Sequence, residues 1–276
     1  MPELPEVETI KRGLEEKVVG RKIVDVVYDV PKMLLPNPKT VLSAVLGTKI
    51  VKVERKAKLL LLYLSNGNIL AIHLRLMGRL LLRSQRTPAD DWQHVVFKFD
   101  DGEELRLCDL RKFAYVRLVV NRSELETILS EFGPEPLTSE FTEEKLGEIL
   151  RKSNRPVKIV LMDQKKIAGV GNIYANEALF WAKIHPETKS NRLSDEQVAR
   201  LYKALNKVLR EGIKYGGATG SDQAYRNING EMGRFQEHFA VYGREGEKCP
   251  RCGGKIERIK LGGRGTYFCP RCQPKS

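Results

Sequence analysis

Four of the five cysteines form two Cys-x2-Cys pairs, Cys249 with Cys252 and Cys269 with Cys272, sixteen residues apart. That spacing suits two tight knuckles presenting four thiolates tetrahedrally to one zinc ion. A closed thiolate set is structural, because a catalytic zinc keeps an open position, so one structural Zn2+ is expected. Between the pairs, residues 255–260 and 266–268 read as strands joined by Leu261-Gly262-Gly263-Arg264-Gly265. Arg264 then sits at the tip of a zinc-stabilised hairpin, either reaching a phosphate or standing in solvent. The other end of the chain offers different chemistry. Pro2 is small enough to permit removal of Met1, leaving a secondary α-amine at the start of a helix. An α-amine titrates near about 8 and the helix dipole lowers it, so a useful fraction is unprotonated near neutrality. Attack of such an amine on C1′ of a nucleotide displaces the base and leaves an iminium ion, which acidifies the C2′ hydrogen and promotes strand scission. Glu3 and Glu6, neighbours on the helix surface, suit acid/base work beside the amine, although acids and prolines also favour a first helical turn for its own sake.

The elements that must position these groups are legible in the apolar spacing. Leu4, Val7, Ile10, Leu14 and Val18 recur with helical period and Gly20 follows them, so the chain opens on an amphipathic helix. From residue 22 to about 120 short alternating or apolar runs predict strands at 23–30, 49–53, 59–64, 95–99 and 115–120. Asn66-Gly67 and Asp101-Gly102 are hairpin signals, which point to antiparallel sheets in a sandwich or barrel. Cys108 beside Leu105 to Leu107 reads as packing. Residues 141–152, 156–163, 172–182 and 194–214 have helical periodicity, with Ser194 and Gln197 spaced as a capping box. A polar, Gly-rich stretch, 215–233, separates them from the cysteines, and loops of that length are usually functional or disordered. The expected class is α+β. Residues 1–132 form a helix and β-sandwich, 133–137 a Gly/Pro hinge, 138–235 a helical domain with its loop, and 240–276 a zinc finger.

With 48 Lys and Arg against 35 Asp and Glu in 276 residues, the net charge of +13 favours a polyanionic partner through steering and counterion release. No apolar run approaches membrane-spanning length, and the acidic, Pro-rich opening lacks the flank of a secretory signal, so a cytoplasmic protein with no membrane partner is expected.

Met1-Pro2-Glu3-Leu4-Pro5-Glu6-Val7-Glu8-Thr9, the terminal cysteines and Gly169-Val170-Gly171-Asn172-Ile173-Tyr174-Ala175 together resemble the bacterial formamidopyrimidine-DNA glycosylase family, over the whole chain. The resemblance implies a bifunctional glycosylase and abasic-site lyase that excises oxidised purines such as 8-oxoguanine from duplex DNA, held in a cleft between two domains. It implies a monomer associated with the bacterial nucleoid through DNA. It makes Pro2 the nucleophile, Glu3 the general acid and Glu6 a partner in proton transfer, and it matches Lys58 to a hairpin lysine near the reacting nucleotide. Arg264 becomes a grip on phosphates around the extruded nucleotide. Arg111 and Phe113 resemble the pair that contacts the orphaned base and wedges the stack, with Lys112 and His94 on phosphates. Asn172 and Tyr174 fall in the family's helix-two-turn-helix element, where exposed amides at a helix N-terminus would hold a backbone phosphate. One departure is that Leu76, in His73-Leu74-Arg75-Leu76-Met77-Gly78, stands where the family has methionine, with Met77 next to it. Ser221, Gln223, Tyr225 and Arg226 are candidates for reading the damaged base. Two other readings stay open. The sister endonuclease VIII type shares the proline chemistry but removes oxidised pyrimidines and typically opens with Gly where this chain has Leu4, while a zinc-ribbon DNA-binding protein would do no chemistry at all.

Overall fold

A computed structural model describes residues 1–220 and 224–275. The chain divides into two compact units, residues 1–130 with 215–236, and residues 131–214 with 237–276.

The first unit opens with α1 (Leu4–Val18), whose Leu4, Val7, Ile10, Leu14 and Val18 are all buried. The helix stops where Gly20 turns to φ +90°. One antiparallel sheet follows the spatial order β1 (Ile23–Tyr28), β7 (Gln93–Phe99), β8 (Glu103–Cys108), β6 (Arg79–Ser84). The other runs β2 (Leu34–Leu35), β9 (Tyr115–Val119), β5 (Ile69–His73), β4 (Leu59–Leu64), β3 (Ile50–Lys56), with only the short β2–β9 pair parallel. Leu60, Leu62 and Ile72 of the second sheet share one core with Phe97, Leu105 and Leu107 of the first and with Val7, Ile10 and Leu14 of α1. Each such side chain contributes roughly 1.5–3 kcal/mol by leaving water. Both expected hairpin turns form, with Gly67 at φ +87° and Gly102 at φ +85°. Helices α2 (Pro38–Val45) and α3 (Arg122–Leu129) complete the unit, each capped by an asparagine, Asn37 and Asn121, whose side chain accepts from the amide three residues on.

Residues 215–236, grouped with the helices in the sequence reading, belong instead to this first unit. The reason is a set of bonds. Leu82 N donates to Ile228 O (2.8 Å), Arg79 Nε to Ala224 O (2.9 Å), and Ala218 N to a carboxylate oxygen of Glu6 (2.7 Å).

The second unit contains α4 (Glu143–Arg151), the short α5 (Val157–Leu161), α6 (Asn172–Ala182), α7 (Asp195–Lys214) and the hairpin β10 (Glu257–Leu261) with β11 (Arg264–Phe268). The reciprocal bonds of Ser194 and Gln197 (2.9 and 3.2 Å) cap α7. Helix α6 is apolar nearly all round and eight of its eleven residues are buried, so it is the central helix of the unit. It approaches α7 closely where Gly212 has no side chain, since a Cβ there would lie 2.5 Å from the Tyr174 hydroxyl. Among the described residues no helix is long and apolar enough to cross a membrane.

Candidate functional site

In the first unit the start of α1 is built around two buried carboxylates. Glu3 is the N-cap, and its side chain accepts from the amide of Glu6 while Glu6 Oε2 accepts from the amide of Glu3 at 2.8 Å, a complete capping box. The first-turn explanation of these acids is therefore correct as far as it goes. It does not account for their burial, to 2% and 1% exposure, directly after a buried Pro2. Burying a carboxylate costs several kcal/mol unless it is hydrogen-bonded, and Glu6 recovers part of this from Ala218 N, 2.7 Å from its Oε1. Gly217, at φ +84°, makes that approach possible, because a Cβ there would lie 2.9 Å from Glu6 Cγ.

Lys58 occupies the two-residue turn between β3 and β4, where Ala57 takes φ +54°. It is buried although it lies on a turn. Arg55 ties this turn to α1, donating to Ala57 O (3.0 Å) and to Glu8 Oε2 (2.9 Å). Burial raises the Glu8 carboxyl, but hydrogen bonds from Arg55 and Arg12 outweigh it and hold Glu8 below the usual range. His73 pairs with Leu59 across the sheet, and its ring accepts from Arg75 N at 2.9 Å. Burial, with the charges of Arg75 and Lys58, pushes its pKa down to about 4, so it is neutral near pH 7.

The loop after β8 is organised by Asp109. Its buried carboxylate accepts from the amides of Arg111 (3.0 Å), Phe113 (2.8 Å) and Ala114 (2.8 Å). Arg111, Lys112 and Phe113 stand exposed on that frame, with the Arg111 guanidinium 5.0 Å from the centre of the Phe113 ring. The nearby turn 75–77 begins at Arg75 (φ +54°) and closes with Gly78 N donating to Leu74 O. Met77 lines a recess of about 60 Å³ with Arg79, Asp91, Trp92, Cys108, Asp109 and Leu110, whereas Leu76, half-buried in the same turn, stays outside it. His94 is buried. Its Nδ1 lies 2.9 Å from Asp29 Oδ1, and Nε2 has no protein partner among the described residues.

The stretch 215–236 is fastened at its roots. Thr219 Oγ1 donates to Tyr225 O (3.1 Å) and accepts from Gly233 N (3.0 Å), while Phe235 N donates to Gly217 O (2.9 Å). Tyr225, expected as a reader of the base, is buried in the core of the unit with its hydroxyl donating to Gly216 O (2.9 Å), so its role here is packing. Arg226 is half-buried and donates to Tyr225 O, while Ser221 and Gln223 lie outside the described residues.

The second unit builds its site around one carbonyl. Lys158, fully buried, donates to Gly265 O (3.1 Å) and Thr266 Oγ1 (2.6 Å), and Asn172 Nδ2 donates to the same Gly265 O (3.1 Å). Asn176 accepts from Tyr267 N at 2.8 Å. Helices α5 and α6 thus hold strand β11 by its backbone. Arg264 is exposed as the first residue of β11, paired with Leu261 and flanking a turn made by Gly262 and Gly263, one step from the tip expected for it. Gln164 shapes the turn before α6, accepting from Gly169 N (2.9 Å) and donating to Val170 O (2.7 Å), with Gly169 at φ +86°. Tyr174, expected to touch DNA, is completely buried against Gly212, so it packs α6 on α7 instead.

The sulfurs of Cys249, Cys252, Cys269 and Cys272 all lie within 4.8 Å of one another, with Cys249 to Cys272 at 3.9 Å and Cys252 to Cys269 at 3.5 Å. A zinc tetrahedron with bonds of about 2.3 Å spaces its sulfurs about 3.8 Å apart, so the four residues fit one structural Zn2+. Lys158, Gln164, Asn176, Asp109 and Thr219 were not legible as site residues, although a lone lysine in the apolar run Val157 to Leu161 and an aspartate opening a turn are signals of buried pairing and of an Asx-type turn.

Family models for the formamidopyrimidine-DNA glycosylase N-terminal domain, its H2TH domain and a zinc finger found in FPG and IleRS match residues 1–116, 132–224 and 246–275. A formamidopyrimidine-DNA glycosylase of Bacillus cereus is 43% identical over 278 aligned positions, covering all of both chains. Two structures of the Lactococcus lactis Fpg, one in complex with DNA containing an abasic site and one with DNA containing Fapy-dG, are 38% identical and superpose with TM-scores of 0.93 and 0.91, covering 99% of this chain and 100% of theirs.

Proposed function

Because the chain belongs to the formamidopyrimidine-DNA glycosylase family, we propose that the secondary amine of Pro2, freed by removal of Met1, is the nucleophile of its reaction. The protein is a DNA glycosylase for oxidised purines in base excision repair, it carries the family's lyase activity, and its partner is damaged duplex DNA. The observation that carries the assignment of Pro2 is the buried carboxylate pair at the start of α1, because a hydrogen-bonded acid beside a terminal amine is the apparatus that this chemistry needs.

In the first step the Pro2 nitrogen bonds to C1′, the glycosidic pair leaves with the base, and the N–H proton released by the nitrogen passes to the departing base, which restores the nitrogen lone pair. Glu3 then protonates O4′ as the C1′–O4′ bond opens, and the nitrogen lone pair forms the iminium ion. Loss of the C2′ proton expels the 3′ phosphate, and a second elimination expels the 5′ phosphate. Glu6 holds the Glu3 amide and the Ala218 amide, and so fixes the geometry of the pair and relays protons. Lys58 supplies positive charge by the reacting sugar, Arg264 and Asn172 engage phosphates, and His94, whose Nδ1 lies against Asp29, faces a phosphate with Nε2. Arg111 and Phe113 contact the orphaned base, Lys112 adds a phosphate contact, and Leu76 enters the emptied stack, Met77 being turned into its recess. Zinc, held by the four cysteines, keeps the hairpin folded and takes no part in the bond changes. The protein acts as a monomer in the bacterial cytoplasm with no membrane partner. Borohydride trapping on duplexes containing 8-oxoguanine opposite cytosine, an oxidised pyrimidine or an abasic site tests this reading. An adduct on the 8-oxoguanine duplex that disappears when the N-terminus is extended is expected; an adduct confined to the pyrimidine duplex assigns the endonuclease VIII type, and none at all leaves a binding protein.

A further inference from the structure

Trp92 is the most exposed large hydrophobic residue of the described chain, at 55%. A bulky side chain left in water is ordinarily costly, and this one is also held in a left-handed backbone conformation, φ +61°, that such residues rarely adopt. The surrounding structure imposes both conditions. Arg106, buried in the middle of β8, donates to Thr87 O (2.8 Å), Pro88 O (2.7 Å) and Asp90 Oδ2 (2.9 Å), and so fixes the segment leading to Trp92. On the other side, Asp109 N donates to Trp92 O at 2.9 Å. Asp109 is also the residue whose carboxylate organises Arg111 and Phe113. Trp92 is therefore tied through its backbone to the loop assigned to the orphaned base; that loop also exposes Leu110 (46%) and Phe113 (49%), and Leu110 lines the same recess as Trp92.

We propose that Trp92 is a DNA contact that sets affinity for the kinked duplex, its indole seated on sugar and base edges next to the orphaned base contacted by Phe113. The exposed Asp91 beside it would repel a phosphate, whereas a flat aromatic face suits a sugar or an unstacked base. The inference rests on the assignment of Arg111 and Phe113 to DNA.

The protein has two tryptophans, so Trp181→Phe leaves Trp92 as the sole reporter. In this variant, acrylamide quenching of Trp92 is measured with and without a saturating duplex carrying an uncleavable abasic analogue, alongside duplex affinities of Trp92→Ala and Trp92→Phe and borohydride trapping on a true abasic duplex. Quenching is expected to fall severalfold on binding. Trp92→Ala is expected to bind about tenfold more weakly with unchanged thermal stability, and Trp92→Phe to recover most of the loss. A trapped, saturated complex in which Trp92 remains as quenchable as in free protein, or wild-type affinity in Trp92→Ala, overturns the proposal and leaves the glycosylase reading intact. Failure of the parent protein to form either the complex or the adduct overturns both.

Discussion

The two units fix their functional groups in opposite ways. In the first, buried carboxylates gather backbone amides: Glu6 takes those of Glu3 and Ala218, and Asp109 takes those of Arg111, Phe113 and Ala114. In the second, side-chain donors gather a backbone carbonyl: Lys158 and Asn172 both hold Gly265 O, one residue from Arg264. A carboxylate can give or take a proton, whereas a buried lysine that donates to a carbonyl and a hydroxyl positions what lies beside it. On the proposed reading the bond changes fall to the first unit, beside its own DNA contacts, and the second unit contributes grip alone; the following experiments can break that division.

The largest effect is expected from Glu3→Gln, which keeps an acceptor for the Glu6 amide but removes the proton. Formation of the trappable iminium should fall about 10²- to 10⁴-fold while duplex affinity stays near that of the parent, measured by single-turnover borohydride trapping on 8-oxoguanine duplex and by equilibrium binding. Loss of binding with intact trapping would invert the comparison. Removing zinc with a chelator should do the reverse, lowering duplex affinity about tenfold or more through loss of the hairpin, with recovery when zinc is restored. Lys158→Met should cost about 1–3 kcal/mol in chemical denaturation because Thr266 loses its buried partner, and should weaken DNA binding. Combined with Arg264→Ala it should add little further loss of affinity, since both changes disable one device.

The smallest effect concerns His73. Its folded pKa, about 4, lies below its ordinary 6.5. As pH falls through 6.5 the unfolded chain takes up the proton first, so stability is full above that value, declines down to about 4 and then levels off. His73→Gln should flatten this limb by on the order of 1 kcal/mol once partial exposure is discounted. Denaturant titrations at several pH values would show it.

How much of this could be read from residues alone follows from the range of the interactions. The opening helix, the Asn66-Gly67 and Asp101-Gly102 turns, the α7 cap and the zinc knuckles are set within a few residues, and their spacing shows in the sequence. The Glu6–Ala218 and Lys158–Gly265 bonds join residues 212 and 107 positions apart, and no local pattern reports them. The same limit explains the two corrected residues. Tyr174 and Tyr225 lie in stretches that resemble DNA-binding and base-reading segments, yet Tyr174 meets Gly212 of another helix, and Tyr225 is buried among core residues of α1 and the sheets while its hydroxyl donates to Gly216 O in its own loop. Strand β6 and helices α2 and α3 lacked an expectation because their apolar residues are few or interrupted by arginine and polar positions, as in Arg79 to Ser84.

The most direct test of the division is to reduce the covalent intermediate on 8-oxoguanine duplex with borohydride, digest the adduct and map the modified residue by mass spectrometry. The DNA remnant is expected on the amino nitrogen of an N-terminal peptide beginning with Pro2. A remnant on Lys58 or any other lysine side chain would contradict the assignment of chemistry to the processed terminus.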